Sequence, residues 1–419
     1  MRRLFAQPGF GWLFAGLSTS MLGDSVMLLV LSMWVKTLTD SNALAGLTFF
    51  FMVLPALGAP LLGVWVDRLP RKPILVWGNL ASAAAVLPLV LVRDEGDVWL
   101  IWVVAFLYGV SFVVLPAAVN GLLKELLPEE LLVDANGSLA TFKEGFRLFG
   151  PLVGAAIFAT AGGWLVAVVD AASFTVAAVV IATIAVTEAP PPPRTGFRDE
   201  VVAGLRFIAG ERVLRNVLIG LAASILVIGF FESSIYALLD AFDKAPTFAG
   251  ILVTVQGVGA VAGGVSASLV VRRLGEVAAT VAGLLTMALS TAVVAVAPSM
   301  AVVYVGVIFL GIAIPWTFVA FTTLMQRRSP SHLIGRVSAS VDVLLSTPQA
   351  ISLAVGSLLV GLLDYRAIFW IITAVMTLGA CQIAVTLRDQ IRSDIRAGGT
   401  PVEPVPAGEA DVTHGADLL

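Results

Sequence analysis

Long apolar stretches recur along the whole 419-residue chain, and they constrain its fold more than any other feature. A helix needs about 20 mostly apolar residues to cross a bilayer, and each stretch reaches that length before a short polar or Pro/Gly-containing turn interrupts it. Hydrophobic residues make up 58% of the sequence and charged residues only 13%, whereas soluble domains carry about 25% charged residues. We therefore expect an all-α integral membrane protein.

Counting these stretches predicts twelve transmembrane helices in two sets of six. The first set comprises residues 10–34, 43–66, 73–92, 98–122, 137–161 and 164–186. The second set comprises residues 217–239, 248–271, 277–296, 301–325, 337–363 and 367–387. Because the number is even, both termini are expected on the same side of the membrane.

The distribution of Lys and Arg predicts which side that is, since cytoplasmic loops carry an excess of both. With the N-terminus inside, nineteen of the 25 basic residues fall in inner segments and four in outer ones, and the other two lie within the fifth span. We therefore predict cytoplasmic termini and a multi-pass protein of the bacterial inner (plasma) membrane. The terms inner end and outer end are used below in this predicted sense.

The region between the sixth and seventh spans divides the chain. Residues 188–194 read Glu-Ala-Pro-Pro-Pro-Pro-Arg, a stiff extended segment, and residues 197–215 carry apolar positions at helical spacing among charges. We predict an N-terminal six-helix bundle at 1–187, a cytoplasmic linker with an amphipathic helix at 188–216 and a C-terminal six-helix bundle at 217–388. The Gly/Pro/acid-rich tail at 389–419 is expected to be disordered.

Two short segments of the first half recur in the second half at nearly the same sequence separation. Residues 63–72 have the pattern Gly-x-x-x-Asp-Arg-x-x-Arg-Lys, and residues 264–273 repeat its glycine, a polar residue and its basic pair 201 positions later. Residues 128–132 are echoed in the same way by residues 330–334. The two bundles are therefore expected to be pseudo-symmetric, a common transporter architecture.

The pattern at residues 63–72 resembles the signature loop of the major facilitator superfamily, and its copy at 264–273 strengthens the likeness. Gly150-Pro151-x-x-Gly154 resembles the antiporter signature of that superfamily's exporters, although Phe146 and Ala155 stand where the signature has glycine. The resemblance implies that spans five and eight, and two and eleven, open and close two gates. One departure is that residues 99–121 lack the arginine that many proton antiporters of the superfamily carry in span four.

Three further segments narrow the resemblance to one branch. Leu22-Gly23-Asp24, the Asp-Ala-Ala-Ser-Phe segment at 170–174 and the Pro-Glu-Glu-Leu segment at 128–131 are similar to segments of drug exporters. That branch includes macrolide efflux proteins and the enterobactin exporter.

Ionisable side chains at membrane depth are the main functional candidates, because they are costly there and usually face a cavity or a partner. Asp24 lies near the middle of the first span, and Glu232 lies in the symmetry-related seventh span. With Asp170 and Arg147 they form the predicted proton-coupling set. The structural alternatives are an interhelical hydrogen bond for Asp24, a rim position for Glu232 and a helix cap for Asp170.

The fifth span contains the most unusual cluster of charges, Lys143, Glu144 and Arg147 at helical spacing. We predict that Lys143 and Glu144 contact substrate together with Gln256 and Trp316, which place an amide and an indole at membrane depth. The alternative is that the span begins lower and that its basic side chains extend to the inner surface.

A third set of residues is predicted to act in gating. Pro151 removes a backbone hydrogen bond in the fifth span, and Asp342 lies about two turns into the eleventh span from the inner side. The complete predicted set is Gly63, Asp67, Arg68, Arg71, Lys72, Gly150, Pro151, Gly154, Arg272, Arg273 and Asp342.

Several function classes are disfavoured by the sequence. A single cysteine rules out an internal disulfide, two histidines leave no metal cluster, and no metalloprotease, serine-hydrolase or P-loop pattern occurs. We expect no enzyme activity, cofactor, metal or nucleic-acid partner. We expect a monomer, surrounded by membrane lipid, that exports amphipathic drug-like molecules or secondary metabolites in exchange for protons by alternating access. Export of a siderophore or other metabolite, and solute import, are the alternatives.

Overall fold

The computed structural model describes residues 2–5, 7–66, 68–186, 197–330 and 333–396, and all regular structure in these ranges is helical. The first half contains α1 (Arg2–Phe5), α2 (Phe10–Thr39), α3 (Asn42–Val53), α4 (Ala59–Val66), α5 (Arg71–Val86), α6 (Val98–Leu126), α7 (Glu129–Ala161) and α8 (Gly163–Ala182). Three 3₁₀ turns accompany them at Leu54–Gly58, Leu87–Leu91 and Glu95–Asp97. The linker forms α9 (Phe197–Gly210). The second half contains α10 (Arg212–Ala241), α11 (Phe248–Leu274), α12 (Glu276–Ala295), α13 (Met300–Arg328), α14 (Ile334–Leu359), α15 (Tyr365–Thr386) and α16 (Arg388–Arg396).

Ten helical segments in the described ranges are long and apolar enough to cross a membrane, and they coincide with ten of the twelve predicted spans. The second predicted span is instead interrupted by the 3₁₀ turn at Leu54–Gly58, where Pro55 cannot donate a backbone hydrogen bond. The fifth coincides with α7, a 33-residue helix that carries several charged residues. Twelve crossings therefore stay a prediction, which these ten segments support in part.

Two predicted boundaries differ from the structure. The linker helix ends at Gly210, and α10 begins at Arg212, because the Glu211 side chain accepts a hydrogen bond from the Leu214 amide and caps the new helix. At the other end, α16 occupies the start of the tail that was expected to be disordered. Ile391 of α16 packs against the apolar core of the second half, which stabilises this helix. Residues 397–419 of the tail lie outside the described residues.

The same helix pairings occur in both halves of the chain. α2 packs against α7 and α8, as α10 packs against α14 and α15. α3 packs against α6 as α11 packs against α13, and α5 packs against α6 and α8 as α12 packs against α13 and α15. This correspondence agrees with the repeat seen in the sequence.

The two halves contact each other through α7 and α11. Thr254 Oγ1 on α11 donates a hydrogen bond of 3.1 Å to the Leu148 carbonyl of α7. A methyl group added at Gly250 of α11 would lie 2.8 Å from the Pro151 carbonyl. The absence of a side chain at Gly250 therefore allows the two backbones to approach closely.

A second contact between the halves involves α2, α3 and α10 at their outer ends. Gly46 of α3 lies against Ser233 of α10, where an added methyl group would be 3.0 Å from the serine Cβ. One apolar cluster contains Met33 of α2 together with Tyr236 and Leu239 of α10. The outer ends of the two halves are therefore joined by packed side chains.

The halves are arranged differently towards the inner end. There α4 packs against α6 of its own half, and Glu144 and Arg147 of α7 are 63% and 69% exposed although they lie mid-helix. Among the described residues, the halves therefore surround a central space that opens towards the inner end.

Candidate functional site

Three polar side chains from α2, α6 and α8 meet inside the first half. Tyr108 Oη donates a hydrogen bond of 3.0 Å to Asp170 Oδ2, and Tyr108 also contacts the Asp24 carboxylate. Tyr108 is 2% exposed and Asp170 is fully buried. Two of the predicted proton-coupling acids are thus linked through one tyrosine.

Gly23, the neighbour of Asp24, makes this cluster possible. A methyl group at Gly23 would overlap the Ser173 hydroxyl and lie 2.5 Å from Asp170 Oδ1. Ser173 Oγ donates to the Asp170 carbonyl at 2.8 Å. The two sequence segments that contain Gly23-Asp24 and Asp170-x-x-Ser173 therefore form one packing unit between α2 and α8.

The direction of the charged side chains of α7 follows from the contacts of that helix. Gly150 lies against Ser25 of α2, and Leu148 lies against Gly257 of α11. At about 100° per residue, Arg147 projects between these two contact directions. The charges therefore project between α2 and α11, towards the central space.

Ser25 reinforces the junction between α2 and α7. Its hydroxyl donates a hydrogen bond of 2.5 Å to the Phe146 carbonyl, and Pro151 leaves the carbonyl of Arg147 without its usual helical donor. The Gly150-Pro151 segment thus lies where α7 meets both α2 and α11, which are helices of different halves.

Opposite charges from both halves lie around the central space. Arg147 Nη1 is 3.9 Å from Glu144 Oε2 on its own helix. The Arg147 guanidinium is also within electrostatic reach of the Glu232 carboxylate on α10. Lys143 interacts in the same way with Asp24 on α2. When these five groups are ionised, three carboxylates face two cations, so the five carry one excess negative charge, and Asp170 lies behind them on the other side of Tyr108.

The two uncharged candidates lie on the second half. Trp316 Nε1 of α13 donates a hydrogen bond of 2.9 Å to Ser266 Oγ of α11, so its indole holds two helices together. Gln256 is half-buried on α11, between Thr254 and Gly257, which both contact α7. Their predicted contact with substrate stays a prediction.

Comparison with known proteins identifies the family. The sequence profile described as Major Facilitator Superfamily matches residues 13–352 and 234–409. The chain belongs to the major facilitator superfamily. Membership of this superfamily and the ten apolar helices together show that the protein is a multi-pass membrane transporter.

Relatives of this superfamily member include drug pumps. Multidrug efflux pump Tap of Mycobacterium tuberculosis is 27% identical over 351 residues, which cover 80% of this chain and 83% of that protein. Macrolide efflux protein A of Streptococcus pyogenes is 24% identical over 366 residues, covering 83% and 88%. The resemblance to the drug-exporter branch is confirmed by these relatives.

Solved structures show the same superfamily fold. A bacterial homologue of the iron transporter ferroportin in the inward-facing state matches with a TM-score of 0.65 and 18% identity, covering 90% of this chain and 98% of that one. An auto-inhibited POT family peptide transporter matches with a TM-score of 0.72 and 12% identity, covering 90% and 96%.

The superfamily signature loop is held to its own half in this structure. Lys72 Nζ donates a hydrogen bond of 2.6 Å to the Ile184 carbonyl beyond α8, and the Arg71 side chain lies across Gly121 of α6. Arg68 is exposed and Gly63 is half-buried, whereas Asp67 lies outside the described residues. The gating role of this loop stays a prediction.

The remaining gating candidates lie on α7, α11 and α14. Arg272 and Arg273 are exposed at the end of α11, and Asp342 is exposed on α14. Gly154 lies against Val26 of α2, one turn beyond Gly150. The structure thus brings together the acids of α2, α8 and α10 with the charged face of α7, and it places the basic pair of α11 elsewhere.

Sequence reasoning missed Tyr108, because it considered only ionised side chains at membrane depth. The chain contains only four tyrosines, and a tyrosine within an apolar span needs a partner for its hydroxyl when it is buried. The need of its hydroxyl for a hydrogen-bond partner could have identified Tyr108 as a candidate from the sequence. Nothing in the local pattern indicated that the partner would be Asp170.

Proposed function

We propose that this transporter exports amphipathic, drug-like molecules or secondary metabolites in exchange for protons, by alternating access. The observation that carries the proposal is the central space, where Asp24 and Glu232 from the two halves face the charged side of α7. The two relatives named above, a multidrug efflux pump and a macrolide efflux protein, support export and this class of cargo.

The exchange follows from the charges. With Asp24, Glu144, Glu232, Lys143 and Arg147 ionised, these groups carry one excess negative charge, and either a cationic substrate or a proton on one carboxylate can balance it. A proton that binds from the outer side therefore weakens the attraction for a cation, while proton release towards the inner side restores it. Substrate binding and proton binding are thereby coupled, because each ligand has different affinities for the inward-open and outward-open states.

The proposal includes the organisation expected from the sequence. The protein acts as a monomer with twelve spans in two six-helix bundles, with cytoplasmic termini in the bacterial inner membrane. It is not an enzyme and uses no cofactor, metal or nucleic acid. Gly150 and Pro151 lie at the junction of α7 with α2 and α11, a suitable position for a bend that accompanies opening of the outer end.

Transport into everted membrane vesicles tests this function. With an acidic interior, vesicles that contain the protein should accumulate a labelled macrolide or the fluorescent cation ethidium, and a protonophore should abolish the accumulation. Asp24→Asn should abolish it as well, whereas Glu95→Gln, at an exposed acid of the outer 3₁₀ turn, should not.

Other outcomes distinguish the alternatives. Accumulation that follows a sodium gradient would contradict proton coupling. Accumulation in right-side-out vesicles but not in everted ones would indicate import. Accumulation of an iron-free catecholate siderophore, with neither ethidium nor macrolide transported, would assign a metabolite exporter and overturn the drug-like cargo.

A further inference from the structure

The outer ends of α2 and α10 are joined by an ion pair. Lys36 Nζ of α2 lies 2.7 Å from Asp240 Oδ2 of α10, and the Lys36 side chain is only 3% exposed. Asn42 Nδ2 donates a second hydrogen bond, of 3.0 Å, to the same carboxylate oxygen. A buried cation of one half therefore depends on a carboxylate of the other.

A second polar contact joins the same two helices one turn deeper. The hydroxyls of Ser32 and Tyr236 are 2.7 Å apart, and both residues are fully buried. The two pairs share a sequence separation of 204 residues, close to the 201-residue repeat. They therefore join nearly equivalent positions of the two halves, where opposite movements of the halves separate the helices.

The Lys36 ammonium has three hydrogens to donate, and the structure gives it three acceptors. These are Asp240 Oδ2 at 2.7 Å, Asp40 Oδ1 at 2.9 Å and the Asp40 carbonyl at 3.1 Å. The Asp40 acceptors belong to the same chain segment as Lys36 and move with it. Only the Asp240 acceptor is lost when the outer ends separate.

This asymmetry decides which contact affects the conformational equilibrium. An interaction that is equally strong in two states shifts nothing, whereas one that exists in a single state favours that state by its whole free energy. We propose that Lys36 and Asp240 form an outer latch, an ion pair between the halves that stabilises the state open to the inner end. The latch is a property of the conformational cycle and holds whatever the cargo is.

Distance measurements between spin labels test the latch. Cys381 is the only cysteine and is exposed, so the background carries Cys381→Ser. Labels are attached at Glu95→Cys and Ser299→Cys, which are exposed positions at the outer ends of the two halves. The fraction of molecules with a long outer distance is measured in detergent without substrate or pH gradient, so the result does not depend on proton coupling.

Removing one partner should raise the ratio of outer-open to outer-closed molecules. Lys36→Met and Asp240→Asn should each increase this ratio about two- to fivefold, because the Asp240 side chain is 43% exposed and an ion pair that is partly in contact with solvent contributes at most about 1 kcal/mol. The double variant should differ little from Lys36→Met alone, because the two residues act through one contact.

Asp40→Asn is the matched control, since Asp40 contacts Lys36 at 2.9 Å but lies in the same half. It should leave the distance distribution unchanged. In the Asp40→Asn background, where the new carboxylate at position 36 has no acid one turn away, the exchange Lys36→Asp with Asp240→Lys should restore closure relative to either single exchange. An unchanged distribution in Asp240→Asn would overturn the latch. Equal shifts in Asp40→Asn and Asp240→Asn would also overturn it, because the effect would then belong to the Lys36 charge itself and not to the link between halves. Should Lys36→Met fail to fold, Asp240→Asn and the exchange decide the question.

Discussion

Replacing Tyr108 by Phe removes one hydroxyl from the centre of the first half and leaves the ring in place. That hydroxyl donates to Asp170 at 3.0 Å, and Tyr108 is 2% exposed, so water cannot easily replace the lost donor. The remaining side-chain donor to Asp170 is Ser173 Oγ at 3.5 Å. A buried polar group that loses its partner costs about 1–3 kcal/mol, and we expect Tyr108→Phe to be destabilised by that amount.

Two other tyrosines allow the same substitution with different expected results. Tyr236 shares a neutral hydrogen bond of 2.7 Å with Ser32, so Tyr236→Phe should cost about 0.5–1.5 kcal/mol. Tyr365 is 4% exposed, and its hydroxyl has no hydrogen-bond partner among the described residues. Tyr365→Phe should therefore be neutral or slightly stabilising, because it removes a buried polar group that no interaction compensates.

The assay is unfolding of the purified variants in one detergent, induced by heat or by added SDS, with transport measured in parallel. The order of destabilisation should be Tyr108→Phe, then Tyr236→Phe, then Tyr365→Phe. Tyr108→Phe should also reduce proton-driven transport more than Tyr365→Phe does. Equal destabilisation by Tyr108→Phe and Tyr365→Phe would refute the reasoning, because the loss would then come from packing of the ring edge and not from the bond to Asp170.

Three further results are expected. Asp24→Asn should fold and insert normally yet lose proton-driven transport, and wild-type proton flux in this variant would contradict the role of Asp24. Arg147→Gln should leave the central space more negative, so transport of a cationic compound should respond more steeply to salt than in Arg206→Gln, a substitution on the exposed side of α9; identical salt responses would count against the charge argument. Burial raises the pKa of Asp394 on α16, so docking of this helix is favoured below the ordinary pKa of the carboxyl and weakens as pH rises through the raised value. Asp394→Asn should accordingly protect α16 from hydrogen exchange at pH 7, with no difference from wild type at acidic pH, and equal protection at both pH values would exclude this role.

Local sequence determined the spanning helices because backbone groups in a bilayer must find partners within the same segment. An apolar run of sufficient length therefore predicts its own helix, and ten helices were confirmed in this way. The same reasoning was less successful where a segment contained proline or several charges. Such segments also make polar contacts with neighbouring helices, as the Phe146 carbonyl of α7 does with Ser25 of α2.

Tertiary structure alone decided which polar groups meet. Tyr108 and Asp170 are separated by 62 residues, and the periodicity of α6 or α8 does not state which helix each face contacts. Lys36 is one of the four basic residues that the sequence assigns to outer segments, yet it lies within α2 with its ammonium buried against Asp240. The reason is physical: the apolar pattern of a span specifies depth in the bilayer, whereas the partner of a buried charge depends on how the two halves pack, which no single span encodes.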